Sequence, residues 1–363
     1  MISTAITSIE AFPLDVPLLA PFTVSSTQLD RLQNVSIRVR LASNTEGWGE
    51  IPALQPITFE NQETALEAIE YLRPKLLGQD AAAWRTCAEN LTEWLVDLNA
   101  TRAGVEIAIL DALTREWGVP LYQFFGGVSN ELTTDITIPI CPDQEAHQLA
   151  NEYRNAGFMT IKTKVGLDIA DDISRLIAIR QAHPDCALIL DANEGFTANE
   201  AVRFLEALRN DGIVPAAIEQ PVACDDWDGL KQVTIEGGVP VVADESCRSV
   251  ENMLRIVREQ LASAVNIKIA KCGVSTALEI VAIAKGAGLQ LMIGGMVETR
   301  LLMGFSAHFA AGIGGFKWID LDTPLLLADD PINGGYTADG PRYSLSSTIA
   351  GHGGSIAIAQ ETS

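Results

Sequence analysis

From residue 160 onward, charged side chains close a series of short apolar runs at nearly constant intervals. The runs are TIKTK (Lys162, Lys164), ALILDAN (Asp191, Asn193), AAIEQ (Glu219), VVADES (Asp244, Glu245) and NIK (Lys268). Lys164 to Asp191 spans 27 residues, Asp191 to Glu219 28, Glu219 to Asp244 25 and Asp244 to Lys268 24. One strand, one helix and two loops occupy that length. The spacing therefore predicts a (β/α) barrel, whose strand C-termini bring such side chains to one mouth.

The segments between the runs fit this reading. TANEAVRFLEALRNDG carries a capping box at Thr197 and Glu200, a buried stripe of Val202, Leu205 and Leu208, and a stop at Gly212. Further strands are expected near 134–140, 289–293 and 316–320, giving eight in all with the last ending in WIDLD. Ahead of the barrel, ITSIEAFPLDV and NVSIRVRLAS alternate as half-buried antiparallel strands do, with PFTVSSTQLDRLQ expected as a loop between them. ALEAIEYLRPKLL, WRTCAENLTEWLVDL and TRAGVEIAILDALTREWG show helical spacing, and Gly118 and Pro120 stop the last. Strands followed by helices make an α+β domain. The expected boundaries are 1–125 for this domain, 126–324 for the barrel and 325–363 for a turn-rich tail that packs back on the first domain.

Composition narrows the partners. A net charge of −22 argues against nucleic acid or an anionic membrane as a partner. No window approaches the roughly 18 uninterrupted apolar residues of a membrane span, and MISTAITSIEAFPLDV has no signal-peptide pattern. The six cysteines lack paired spacing, as in a reducing cytoplasm.

Lys162 and Lys164 are two apart on a strand and share a face. Ile161 and Val165 take the face towards the helices, so the lysines point into the barrel. Mutual repulsion and burial are expected to lower their pKa values towards those of a base. Asp191, Glu219 and Asp244 each follow a run too apolar for a surface strand. Hard oxygen donors without His or Cys select Mg²⁺ or Mn²⁺ over zinc. Lys268, with Asn266 on the same face, lies four strands beyond Lys164 and hence on the opposite wall. Lysines on both sides of one carbon centre can remove a proton from one face and return it on the other. Lys271 is expected to be solvated or to start a helix. Asp320 and Asp322 face the mouth together, where two unpaired carboxylates imply an ammonium ligand.

Taken in order, GVPLYQFFGG, IKTKVG, DANEGF, EQPV, ADES, NIKIAKCG and GGMVET resemble the motifs of the enolase superfamily, in its muconate-lactonizing-enzyme subgroup. The resemblance covers essentially the whole chain. It implies an α/β fold with a modified (β/α)8 TIM barrel of the (β/α)7β type and an N-terminal α+β capping domain. It also implies Mg²⁺ on Asp191, Glu219 and Asp244, with Lys164 and Lys268 as acid/base pair. Lys162, Asn193, Glu245 and Asn266 would support them. The Asp320–Leu321–Asp322 pattern resembles dipeptide epimerases such as the L-Ala-D/L-Glu enzymes, where the pair binds the α-ammonium. Met296, Glu298 and, on the first of two specificity loops (21–28 and 53–60), Thr27 are expected against the substrate. Val274 and Gly295 depart from the KxGG and GSM patterns of the family.

The expected reaction is epimerisation at the C-terminal Cα of an L-Ala-L-X dipeptide through an enediolate, a chemistry described for the superfamily. Ala-Glu is the default substrate, although no cation precedes Arg31 in the first loop. The expected enzyme is a cytoplasmic homo-oligomer acting on a small dipeptide. The rivals on this scaffold are o-succinylbenzoate synthesis, N-acylamino acid racemisation and muconate-type cycloisomerisation. A binding protein without chemistry would not need both lysine sets.

Overall fold

The computed structural model describes residues 3–23, 28–55 and 58–357. Strands β1 (Ile6–Thr23) and β2 (Gln28–Leu41) form one long antiparallel hairpin, paired from Ile6↔Leu41 out to Thr23↔Gln28, and β3 (Glu46–Ile51) joins β2. The segment expected as a loop, PFTVSSTQLDRLQ, is thus largely strand. Ladder hydrogen bonds are made by backbone alone, so the hairpin runs on after the apolar alternation fades. Its register is irregular between Pro17 and Phe22.

Helices α1 (Gln62–Leu76) and α3 (Asn99–Glu116) cover this sheet, and α2 (Trp84–Trp94) packs against α3. α3 is buried almost all round because the sheet lies on one side and a barrel helix on the other. Its backbone touches β3: a Cβ at Gly49 would stand 2.2 Å from the Gly104 carbonyl oxygen, closer than any side chain tolerates. The short α4 (Leu121–Phe124) and β4 (Glu131–Thr133) lead into the barrel.

Eight parallel strands then alternate with seven helices. They are β5 (Ile136–Ile138), α5 (Asp143–Asn155), β6 (Thr160–Lys164), α6 (Ile169–Ala182), β7 (Ala187–Asp191), α7 (Ala198–Asn210), β8 (Ala217–Glu219), α8 (Trp227–Glu236), β9 (Val241–Ala243), α9 (Val250–Glu259), β10 (Ala264–Ile267), α10 (Ile269–Ala287), β11 (Gln290–Ile293), α11 (Arg300–Ile313) and β12 (Phe316–Ile319). Neighbours in sequence are neighbours in the sheet, from β5 through to β12. The ring closes where Asp135 N–H donates to the Ile319 carbonyl at 2.8 Å and Leu321 N–H to Thr134 Oγ1 at 2.9 Å. This is the (β/α)7β barrel with its α+β cap. The Thr197–Glu200 capping box forms, and Gly212 follows α7 at φ +76.

Period-two alternation sorts the strand residues. Ile189, Ala217, Val242, Ala264, Met292 and Trp318 pack together as a cluster apart from the main core, and Ile161, Leu190, Ile218, Val265 and Ile293 join the core shared with the helices. The first set plugs the barrel interior below the mouth. The tail adds β13 (Ile332–Asn333), β14 (Thr337–Asp339), β15 (Arg342–Ser344) and β16 (Ser355–Ile356), and β15 pairs with β4. It also returns to the cap: His352 N–H donates to Asp111 at 2.9 Å, and Arg115 donates to the Gly354 carbonyl at 2.6 Å. No helix among the described residues is long and apolar enough to cross a membrane.

Candidate active site

Register carries the charged residues to one end of the barrel. Lys162 pairs with Ile189 and Lys164 with Asp191 across β6–β7, and Asp191 pairs with Glu219 across β7–β8. All of these charged side chains are buried, as are Asp244 and Lys268. A cavity of about 490 Å³ opens over them. Its polar lining includes Lys162, Lys164, Asn193, Glu245, Lys268, Asp320 and Asp322, and its apolar wall includes Leu29, Leu54, Phe59, Met296 and Val297.

Lys162 Nζ lies at the centre, 2.9 Å from Asp191 Oδ2, 2.7 Å from Glu219 Oε2 and 2.7 Å from Asp320 Oδ2. Lys164 Nζ stands 2.7 Å from Asp191 Oδ2 and donates to Asn193 Oδ1 at 3.0 Å. Across the mouth, Lys268 Nζ is 2.7 Å from Asp244 Oδ2. The supporting residues expected from the sequence are in contact too. Asn266 donates to Glu219 Oε1 at 2.7 Å, and Asn193 donates to Glu245 Oε1 at 3.3 Å.

Three expectations need correction. Asp320 is not an unpaired carboxylate: Lys162 Nζ stands 2.7 Å from its Oδ2, and Asp322 Oδ2 accepts the Thr137 N–H at 2.6 Å. Lys271 does start a helix, in the first turn of α10, but it is not solvated; it is buried, pairs with Asp244 Oδ1, and donates to the Asp244 and Asn266 carbonyls at 2.7 and 2.9 Å. Its sequence position, in the first turn of α10, hides that the strand end and the helix start share one corner. Nor are the lysine pKa values depressed where a shift is resolved. Burial acts to lower Lys162 and Lys268, yet Lys162 is raised by Asp191, Asp320 and Glu219, and Lys268 by Asp244 and Glu219. Carboxylates packed around each ammonium outweigh desolvation. Lysines Lys162, Lys164 and Lys268 in turn draw Asp191 down against its burial.

Thr27 lies outside the described residues. Met296 lines the cavity; Glu298 is not among its lining residues, but accepts the Met296 N–H at 2.8 Å. Burial pushes the Glu298 carboxyl up to about 8. The two departures from the family pattern have separate meanings. At Gly295 a Cβ would meet Met303 Cε at 2.2 Å, so Met303 fills the space a larger residue would take in the cavity wall. Val274 does not line the cavity. Its N–H donates to Glu106 Oε2 at 2.7 Å, as does Ser275 at 2.9 Å, where α10 resumes after Gly273 at φ +80.

Other contributors were hidden from sequence reasoning. Gln220 Oε1 accepts from the N–H groups of Asp244 and Ser246 at 3.0 and 3.1 Å, fixing the loop that presents Asp244. Arg248 brings a guanidinium to the cavity, with its Nε donating to the Glu245 carbonyl at 3.0 Å. The ADES motif ends at Ser246, two residues short of Arg248.

Asp191, Glu219 and Asp244 suit a hard divalent cation. They are buried carboxylates on consecutive strand ends, and Glu219 Oε2 and Asp244 Oδ2 accept no hydrogen bond among the described residues, although ammonium groups stand beside them. A separate group, Asp135, Asp320 and Asp322, brings one oxygen of each to within 4.8 Å of the others at the barrel seam.

Residues 8–126 match the mandelate racemase / muconate lactonizing enzyme N-terminal domain, and residues 145–361 the enolase C-terminal domain-like family. The chain therefore belongs to the mandelate racemase/muconate lactonizing enzyme family of the enolase superfamily. Within it, the chain is 49% identical over 352 residues to the "L-Ala-D/L-amino acid epimerase" of Populus trichocarpa, covering 94% of this chain and 82% of that protein. It is 44% identical over 355 residues to the "Aromatic dipeptide epimerase" of Herpetosiphon aurantiacus, covering 98% and 99%. The dipeptide epimerase of Enterococcus faecalis, solved with Mg and L-Leu-L-Tyr, superposes with a TM-score of 0.93 at 32% identity, over 97% of this chain and 99% of that one.

Proposed function

We propose that this protein is an isomerase, a Mg²⁺-dependent dipeptide epimerase that inverts the Cα of the C-terminal residue in L-Ala-L-X. The observation that carries this reading is the pairing of Lys164 and Lys268 with different members of one carboxylate trio, from opposite sides of the mouth, with Asp320 and Asp322 beside them. One lysine removes the Cα proton and the other delivers a proton to the opposite face. Lys162 holds Asp191, Glu219 and Asp320 together. Asp320 and Asp322 take the dipeptide ammonium. Asp191, Glu219 and Asp244 would hold Mg²⁺ (or Mn²⁺), which would supply Lewis-acid charge against the substrate carboxylate.

For the side chain X, an uncharged apolar or aromatic residue suits the wall of Leu29, Leu54, Phe59, Met296 and Val297, whereas the glutamate of the family default would have to reach Arg248, whose Nε is bonded to the Glu245 carbonyl. The names of the two relatives above, one aromatic and one broad in its amino acid, support the same preference. A cytoplasmic homo-oligomer, without a nucleic-acid partner, completes the proposal. Residues 1–125 serve as the cap, 126–324 as the catalytic barrel and 325–363 as the segment tying the two.

Acyl-substrate and cycloisomerase chemistry on this scaffold has no ammonium to place against Asp320 and Asp322, and a second substrate carboxylate would be repelled there. Asp322→Asn separates these. Loss of one charge-assisted contact is expected to lower kcat/KM for L-Ala-L-Phe by about 10- to 100-fold, with Mg²⁺ affinity measured by calorimetry unchanged. Unaltered kinetics would favour the rivals.

A further inference from the structure

Asp135 was not singled out by any motif, yet it is the carboxyl of the seam with the fewest hydrogen-bond donors. It is 2% exposed, and neither of its oxygens accepts a hydrogen bond among the described residues. Its neighbours Asp320 and Asp322, each with an oxygen within 4.8 Å, are better provided for. Lys162 Nζ lies 2.7 Å from Asp320 Oδ2, and the Thr137 N–H donates to Asp322 Oδ2 at 2.6 Å. Lys162 is already shared with Asp191 and Glu219. Three ionised carboxylates in one buried corner with one shared cation would repel each other, and the one lacking donors is the one that takes up a proton. Burial and the charges of Asp320 and Asp322 push the Asp135 carboxyl well above the ordinary aspartate value, against the opposing charge of Lys162.

We propose that Asp135 is a neutral carboxylic acid whose O–H donates to Asp320, making it a positioning residue for the carboxylate pair that receives the substrate ammonium. This rests on the dipeptide reading above. The backbone favours the role, because Asp135 N–H is itself pinned to Ile319, one residue before Asp320. A neutral Asp135 fixes Asp320 without adding a third charge. The ammonium then meets two oriented anions rather than three repelling ones.

The test uses the full-length Mg²⁺-loaded enzyme and L-Ala-L-Phe. Infrared difference spectra at neutral pH, wild type minus Asp135→Asn, are expected to show a protonated-carboxyl C=O band that shifts in D₂O. Asp135→Ala is expected to raise KM by about tenfold with a smaller change in kcat, because a buried partner is left without its donor. Asp135→Asn, which keeps a donor of similar size, is expected to recover KM to within about threefold of wild type. Thermal unfolding of both variants controls for folding. Absence of the band, or equal damage in the Asn and Ala variants, would overturn the proposal, as would a band with no KM effect in Asp135→Ala. Failure of wild type to exchange any dipeptide is seen before any substitution; it would sink the epimerase reading and the positioning role together, whereas the band requires no turnover.

Discussion

Lys268→Ala is expected to abolish interconversion of the two epimers while leaving Cα–H exchange of one of them. Lys268 and Lys164 approach from opposite walls, so each serves one face of the reacting carbon. A positioned general acid/base contributes about 10²–10⁴-fold, or about 3–5 kcal/mol of barrier, and epimerisation needs both. The substitution leaves no buried charge without a partner, because Asp244 keeps Lys271 on its other oxygen and through its carbonyl. The variant should therefore fold, and its thermal transition checks this. Deuterium wash-in from D₂O, followed separately for the L-L and L-D dipeptides, is the measurement. Exchange confined to one epimer supports two bases. Full epimerase activity in the variant would contradict them.

Glu219→Gln is expected to cost nearly all activity by weakening the cation site. Glu219 is the middle carboxylate of the trio by strand order, and Asn266 orients it through Oε1, leaving Oε2 beside the Lys162 ammonium and without a hydrogen bond among the described residues. Residues that merely support metal ligands change affinity by about 10- to 100-fold when removed, so loss of a direct ligand should exceed that. Titration of Mg²⁺ by calorimetry and by restoration of activity after chelation measures it. Lys162 retains Asp191 and Asp320 as partners in this variant, so the effect is not expected to arise from an orphaned ammonium. Wild-type Mg²⁺ affinity in Glu219→Gln would remove this residue from the ligand set.

The chemistry was legible where it coincides with strand ends. Period-two alternation sends Lys162, Lys164, Asp191 and Glu219 inward, and their spacing reports the barrel directly. Residues that meet these groups from elsewhere leave no periodic trace. Lys271 arrives from the first turn of a helix, Gln220 acts through a loop, and Arg248 sits beyond a motif that draws attention to Glu245. Asp135 belongs to the seam between the first and last strands, a juxtaposition that exists only once the ring has closed. The extended hairpin was missed for a related reason: its outer half is held by ladder bonds, which carry no side-chain signature. The sign of the Lys162 shift also depended on closure. Two lysines on one strand suggest mutual repulsion, and only the assembled mouth shows carboxylates surrounding them.

The central claim is 1,1-proton transfer at the C-terminal residue of a dipeptide. Mass spectrometry of an L-Ala-L-X library, incubated with the Mg²⁺-loaded protein in D₂O, tests it most directly. One deuterium is expected to enter the C-terminal residue, with an L-D epimer formed, fastest for apolar and aromatic X and slower for glutamate. No incorporation into any dipeptide by folded, metal-loaded protein would contradict the account and turn attention to acyl-substrate or cycloisomerase chemistry.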